Sequence, residues 1–139
     1  MLNPKNCINC NAPLHGRQDK KFCSDQCRAT YNNRMKRKHE ALILNTNKIL
    51  RRNRTILRSL CPLGKSTVRR ESLVEMGFDF SHFTTIFPTG SGIYFFAYEF
   101  GWMPIEEKSN SEGHVLRKVL IIQHQEYMNK PLDPWRIKI

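Results

Sequence analysis

The sequence predicts an α+β chain in three parts: an N-terminal four-cysteine module (residues 1–31), a long basic amphipathic helix (32–61) and a small domain (62–139) with a short helix on an antiparallel sheet. Three observations predict it. Cys7, Cys10, Cys23 and Cys27 form a C-x2-C-x12-C-x3-C array. From Ser24 to about Leu60 there is no Gly or Pro, and apolar residues recur by sevens. After Pro62 come runs rich in β-branched and aromatic residues. A chain of 139 residues has room for one ordinary domain, or for a small domain plus a module too short to bury its own core.

The cysteine array reads as a metal site. Tetrahedral zinc needs four ligands converging at about 2.3 Å per Zn–S bond, and a two-residue gap lets one tight turn supply two of them. Cys7-Ile8-Asn9-Cys10 fits that turn, and Asn11 follows it where a left-handed backbone is commonly required. Cys23 precedes Ser24, a good N-cap residue, and Cys27 lies one helical turn further on, so both sulfurs would face the positive end of a helix. Four thiolates leave a zinc ion no open position, so the expected metal is a single structural Zn²⁺.

At these residues the chain resembles a known group. Phe22-Cys23-Ser24-Asp25-Gln26-Cys27-Arg28 is similar to the F-C-S-x-x-C-R second knuckle of small bacterial zinc-ribbon and treble-clef proteins. These include a family of uncharacterised zinc-ribbon proteins and, more remotely, the DNA gyrase inhibitor family. The likeness covers about Cys7 to Tyr31 and implies one structural zinc on Cys7, Cys10, Cys23 and Cys27. The usual Gly after the first knuckle is Asn11, and Ala29-Thr30-Tyr31-Asn32-Asn33 replaces the segment that follows the second knuckle in the inhibitors. Gyrase inhibition is therefore not carried over.

Charge is distributed unevenly along the chain. Residues 1–70 carry 17 Lys+Arg against 3 Asp+Glu, and residues 71–139 carry 6 against 9, so a surplus of +14 faces a deficit of −3 within the net +11. A local excess of this kind implies an anionic partner. The N-terminus lacks the apolar core of a secretory signal and no run is long enough to span a bilayer, which predicts a cytoplasmic protein without membrane contact. Thiols stay reduced there, which favours metal over disulfide for the paired cysteines.

The helical stripe runs Met35, Leu42, Ile49, Ile56, with Ile43, Leu50 and Leu57 beside the last three. Asn32-Asn33 or Asn45-Thr46-Asn47 could break it, because Asn is a poor helix-interior residue. The candidate nucleic-acid contacts are Arg28, Arg34, Lys36, Arg37, Lys38, Lys48, Arg51, Arg52, Arg54 and Arg58, with Asn side chains available for hydrogen bonds. Glu40 is the one acidic residue between Arg28 and Glu71. Nucleic acid, DNA in preference to RNA, is thus the expected partner. An acidic protein surface is the alternative, with the chain as adaptor or inhibitor. The stripe could also form a short coiled coil, giving a homodimer through the helix, or pack on the C-terminal half.

Further along, Thr67–Met76 reads as an extended lead-in and helix stopped by Gly77. His82–Phe87 and Ile93–Phe100 read as strands around a Pro88–Gly92 loop, Val115–Gln123 as a third strand, and Trp135–Ile139 as a short edge strand. The expected sheet therefore has three or four strands. No catalytic residue is expected. Gly64-Lys65-Ser66-Thr67 imitates the end of a phosphate-binding loop, but Ser59 stands where that loop needs its first glycine. Cys61 reads as a packed small residue, and the five histidines show no ligand spacing. The function expected is that of a zinc-binding, non-enzymatic accessory or regulatory protein.

Overall fold

The computed structural model describes residues 5–108 and 113–137. The chain divides into two compact units, residues 1–45 and 46–139. One continuous helix, α1 (Asp25–Ser59), begins in the first and ends in the second. Neither Asn32-Asn33 nor Asn45-Thr46-Asn47 interrupts it. Helix-interior Asn costs only a few tenths of a kcal/mol relative to an average residue, ~0.5 kcal/mol against Ala, too little to stop a helix anchored at both ends. Among the described residues no helix is long and apolar enough to cross a membrane.

The second unit is a five-stranded antiparallel sheet, one or two strands larger than expected. It comprises β1 (Lys65–Arg69), β2 (Thr85–Thr89), β3 (Gly92–Ala97), β4 (Phe100–Lys108) and β5 (Val115–Gln123), in the order β1-β5-β4-β3-β2. A short helix, α2 (Arg70–Glu75), follows β1. Its end is set by Gly77 at φ 80°, where the amides of Gly77 and Phe78 donate to the carbonyls of Val74 and Leu73.

Two strand expectations need correction. The aromatic run Ile93–Phe100 is not one strand: it turns over at Tyr98, which takes a left-handed φ of 59°, and Phe100 opens β4. Phe100 consequently pairs with Ala97 and lies on the opposite face from Tyr94 and Phe96. The expected edge strand at Trp135–Ile139 is instead a 3-10 turn over Pro134–Arg136, capped by the Asp133 carboxylate accepting from the Trp135 amide at 3.0 Å; Lys138 and Ile139 lie outside the described residues. Proline at the first position of that turn favours the helical φ over a strand. The expected Pro88–Gly92 loop also shrinks to Gly90-Ser91, since Pro88 and Thr89 belong to β2 and Gly92 to β3.

Period-two alternation gives the sheet two apolar faces. On one, Ala97, Phe100, Trp102, Val119 and Ile121 pack with Ile56, Leu57 and Cys61 from the end of α1, with Leu73 of α2 and with Phe78. Phe78, Phe80 and Phe95 surround Trp102 at ring distances of 5.9, 5.2 and 4.8 Å. On the other, Phe96 and Ile122 are covered by Met128, which sits on a 3-10 turn (Glu126–Met128). Phe96 lies directly over Gly101, where a Cβ would come within 2.7 Å of its ring, so only glycine fits. Cys61 is buried as expected, its sulfur 3.7 Å from the Ile121 carbonyl oxygen.

A buried polar residue ties α1 to this unit. Asn53 is fully buried, donates to the carbonyls of Asp79 (2.7 Å) and His82 (3.1 Å), and accepts from the Asp79 amide at 3.0 Å. Three bonds satisfy its amide, so its burial fixes the 79–82 loop without leaving a polar orphan.

Candidate metal centre and basic helix

The first unit is built around a tight turn and a helix start. The Cys7 amide donates to the Ala12 carbonyl at 2.8 Å and the Asn11 amide to the Cys7 carbonyl at 2.9 Å, which folds the Cys7–Cys10 turn back on itself. Asn11 completes the turn at φ 64°, the left-handed conformation expected of that position. The Ile8 amide reaches the Lys21 carbonyl at 3.0 Å and so draws the second cysteine pair alongside the first. At the other side, the Ser24 hydroxyl accepts from the Cys27 amide at 3.2 Å and caps α1.

These contacts bring Cys7, Cys10, Cys23 and Cys27 together, with all four sulfurs within 4.8 Å of one another. Cys10 and Cys23 are 3.6 Å apart and Cys23 and Cys27 are 3.4 Å apart. Ligands at about 2.3 Å from a tetrahedral ion stand about 3.8 Å from each other, so the cluster has the size and donor number of a four-coordinate metal site.

The electrostatics of the cluster also fit a cation. Burial opposes charge on Cys7, yet the backbone amides of Cys10, Cys23 and Asn9 outweigh it and lower its thiol to about 6. Cys27 is lowered by the Asn9 side chain, assisted by Cys23 and Ser24. Cys23, pressed between Cys27 and Cys10, is pushed up to about 12. Crowded sulfurs cannot all carry negative charge unaided, and a divalent ion among them removes that conflict.

Asn9 is a residue that spacing alone does not reveal. Its side-chain oxygen accepts from Arg34 at 2.8 Å while its side chain supports the Cys27 thiolate. Arg34 also lies over the Tyr31 ring at 5.8 Å, and Tyr31 packs on Phe22 at 5.4 Å. Arg34 is thus occupied in orienting the cysteine cluster.

The other candidate basic residues divide into engaged and exposed. Arg52 donates to the Met76 carbonyl at 3.3 Å, and Arg54 pairs with Glu99. Arg28 meets Asp25 at 3.6 Å, one turn back on the same helix, and remains exposed. Lys36, Arg37, Lys38, Lys48, Arg51 and Arg58 are exposed. The loop between the cysteine pairs adds His15, Arg17, Lys20 and Lys21, which line a groove of about 670 Å³ with Cys23 and Arg28. The density of basic residues in the twelve-residue spacer was the signal for that loop.

Comparison with protein-family models, curated proteins and solved structures finds no match to this chain.

Proposed function

We propose that the four cysteines hold one structural zinc ion and that the module and helix they start bind nucleic acid, DNA in preference to RNA, as a non-enzymatic accessory protein of the cytoplasm. The observation that carries the metal is the convergence of four sulfurs within 4.8 Å on a capped helix start. The order of a cysteine turn followed by a second pair at a helix N-terminus supports the zinc-ribbon or treble-clef reading. Zinc would be held by Cys7, Cys10, Cys23 and Cys27, would neutralise the crowded thiolates and would close the turn on the helix.

Support for nucleic acid comes from the exposed cations Arg28, Lys36, Arg37, Lys38, Lys48, Arg51 and Arg58 along a helix that carries Glu40 as its one acidic residue after Asp25. A partner with regularly spaced negative charge matches such a row better than a point charge does. The test is an oligonucleotide-binding titration with full-length protein at two salt concentrations, with zinc content measured in parallel. One zinc per chain is expected, and a slope of log affinity against log salt of roughly −5 if about six phosphates are neutralised. Protein without stoichiometric zinc after metal-replete purification sinks the metal assignment. Binding indifferent to salt, or no binding at low salt, sinks the phosphate model.

A further inference from the structure

The seven-residue stripe of α1 is covered at Met35, Ile49 and Ile56 but not at Leu42. Met35 and Ile49 are half-buried and Ile56 is buried, whereas Leu42 is 71% exposed. Every residue from Lys36 to Asn45 is exposed, a stretch of about 15 Å of helix. Leu42, Ile43 and Leu44 stand together there at 71%, 57% and 66% exposure. Successive helix positions differ by about 100°, so the three spread over more than half of the helix circumference at that level. Nothing in the local helix rewards three adjacent exposed branched or aliphatic residues, and contiguous exposed apolar surface of this kind marks a docking site.

The surroundings of the patch select its occupant. Lys36, Arg37 and Lys38 lie one to two turns before it, and phosphodiester contact would leave the three apolar side chains in water. A second copy of this chain is disfavoured in both orientations. Parallel pairing sets Lys36, Arg37 and Lys38 against their own counterparts, and antiparallel pairing about Ile43 sets Lys38 against Lys48 and Arg34 against Arg52. An amphipathic helix with an apolar stripe and Asp or Glu beside it satisfies both features: its stripe buries Leu42 and Ile43, about 100° apart, while its carboxylates meet Lys38 and Lys36 on either side of them.

We propose that residues 36–44 of α1 are the docking site for an acidic amphipathic helix of a partner protein. The site shares Lys36 and Lys38 with the proposed phosphate row and differs from it in its apolar anchor, Leu42 and Ile43.

The test uses zinc-loaded full-length protein and a labelled synthetic peptide of roughly 20 residues, with leucines at helical i, i+3, i+4 and i+7 spacing and Glu at the flanking positions. A control peptide of the same composition has the leucines scrambled off the stripe. The designed peptide is expected to bind at least tenfold more tightly than the control. Substituting Leu42→Gln and Ile43→Gln together should weaken it at least tenfold, as should Lys36→Glu with Lys38→Glu, while the Gln variant keeps its zinc content, its helical signal and its oligonucleotide affinity. Should the double variant lose helicity, Leu42→Gln alone carries the same comparison at an exposed position. Equal binding of the scrambled peptide, unchanged binding by the Gln variant, or no binding of the designed peptide overturns the proposal. So does a wild-type dimer in sedimentation that the Gln variant abolishes, because the occupant is then a second copy.

Discussion

Between residues 5 and 45 the one buried side chain among those described is Cys7, whereas the second unit buries a ten-residue apolar cluster around Leu57, Leu73, Trp102 and Ile121. Among its described residues the first unit therefore has no buried apolar cluster to compensate the entropy of ordering its loop, and its order must come chiefly from the four sulfurs, the amides aimed at them and the proposed ion. The second needs no ion: two faces of one sheet are filled by its own side chains. The difference is visible within α1 itself. Ile56 and Leu57 are core residues, while Leu42, Ile43 and Leu44, chemically the same and on the same helix, lie in water. Apolar character in a helix thus reports capacity for burial, and only the neighbours decide whether it is used.

The sharpest way to break this comparison is metal removal. A strong chelator, or Cys23→Ser, is expected to release the proposed zinc ion and to cost the first unit on the order of 10 kcal/mol of folding free energy, enough to unfold it. Hydrogen exchange should then show lost protection from Cys7 to the first turns of α1 and unchanged protection in β3, β4 and β5. Loss of protection in the sheet as well would mean the two units do not derive their order separately.

Next in size is a pair of substitutions on the same helix. Leu57→Ala is expected to destabilise the second unit by about 2–5 kcal/mol, the range for a buried large-to-small change, with zinc stoichiometry unaffected. Leu42→Ala should change stability by less than about 0.5 kcal/mol, since the side chain has nothing to lose. Chemical denaturation followed by tryptophan fluorescence distinguishes them, because Trp102 sits in the affected cluster. Equal effects would contradict the division of α1 into covered and bare segments.

A smaller loss than that of Leu57→Ala is expected at Asn53. Asn53→Ala removes three hydrogen bonds and leaves the Asp79 amide without its side-chain acceptor, a cost of about 1–3 kcal/mol. It should appear as raised exchange in the 79–82 loop before any change in the four-cysteine module. A substitution with no measurable effect would show that Ile56 and Leu57, with the Arg52 and Arg54 contacts, hold α1 on the sheet without it.

Much of the first unit was legible in the sequence because its determinants are local. The two cysteine pairs, the Asn11 turn and the Ser24 cap each depend on residues no more than a few positions apart. The division of the basic residues was not legible. Arg34, Arg52 and Arg54 look like Lys36, Arg37 and Arg58 in sequence, but Asn9, the Met76 carbonyl and Glu99 lie 25, 24 and 45 residues from the arginines they engage. Strand β4 was missed for a related reason. Gly101 and Pro104 read as strand breakers, yet Gly101 accommodates the Phe96 ring, and Pro104 falls beyond Trp102, where β3 stops pairing and β5 is the one remaining neighbour.

By itself the sequence determined the α+β class, the four-sulfur cluster and the existence of a long basic helix. Each rests on spacing, periodicity or the absence of helix breakers, which act over a few residues. Tertiary structure alone decided which faces of that helix are covered, that five strands close around Trp102 and Phe96, and that Asn53 takes up hydrogen bonds offered by the 79–82 loop. Those outcomes depend on contacts between residues far apart in the chain, where burial and hydrogen-bond satisfaction outweigh the few tenths of a kcal/mol that local propensity commands.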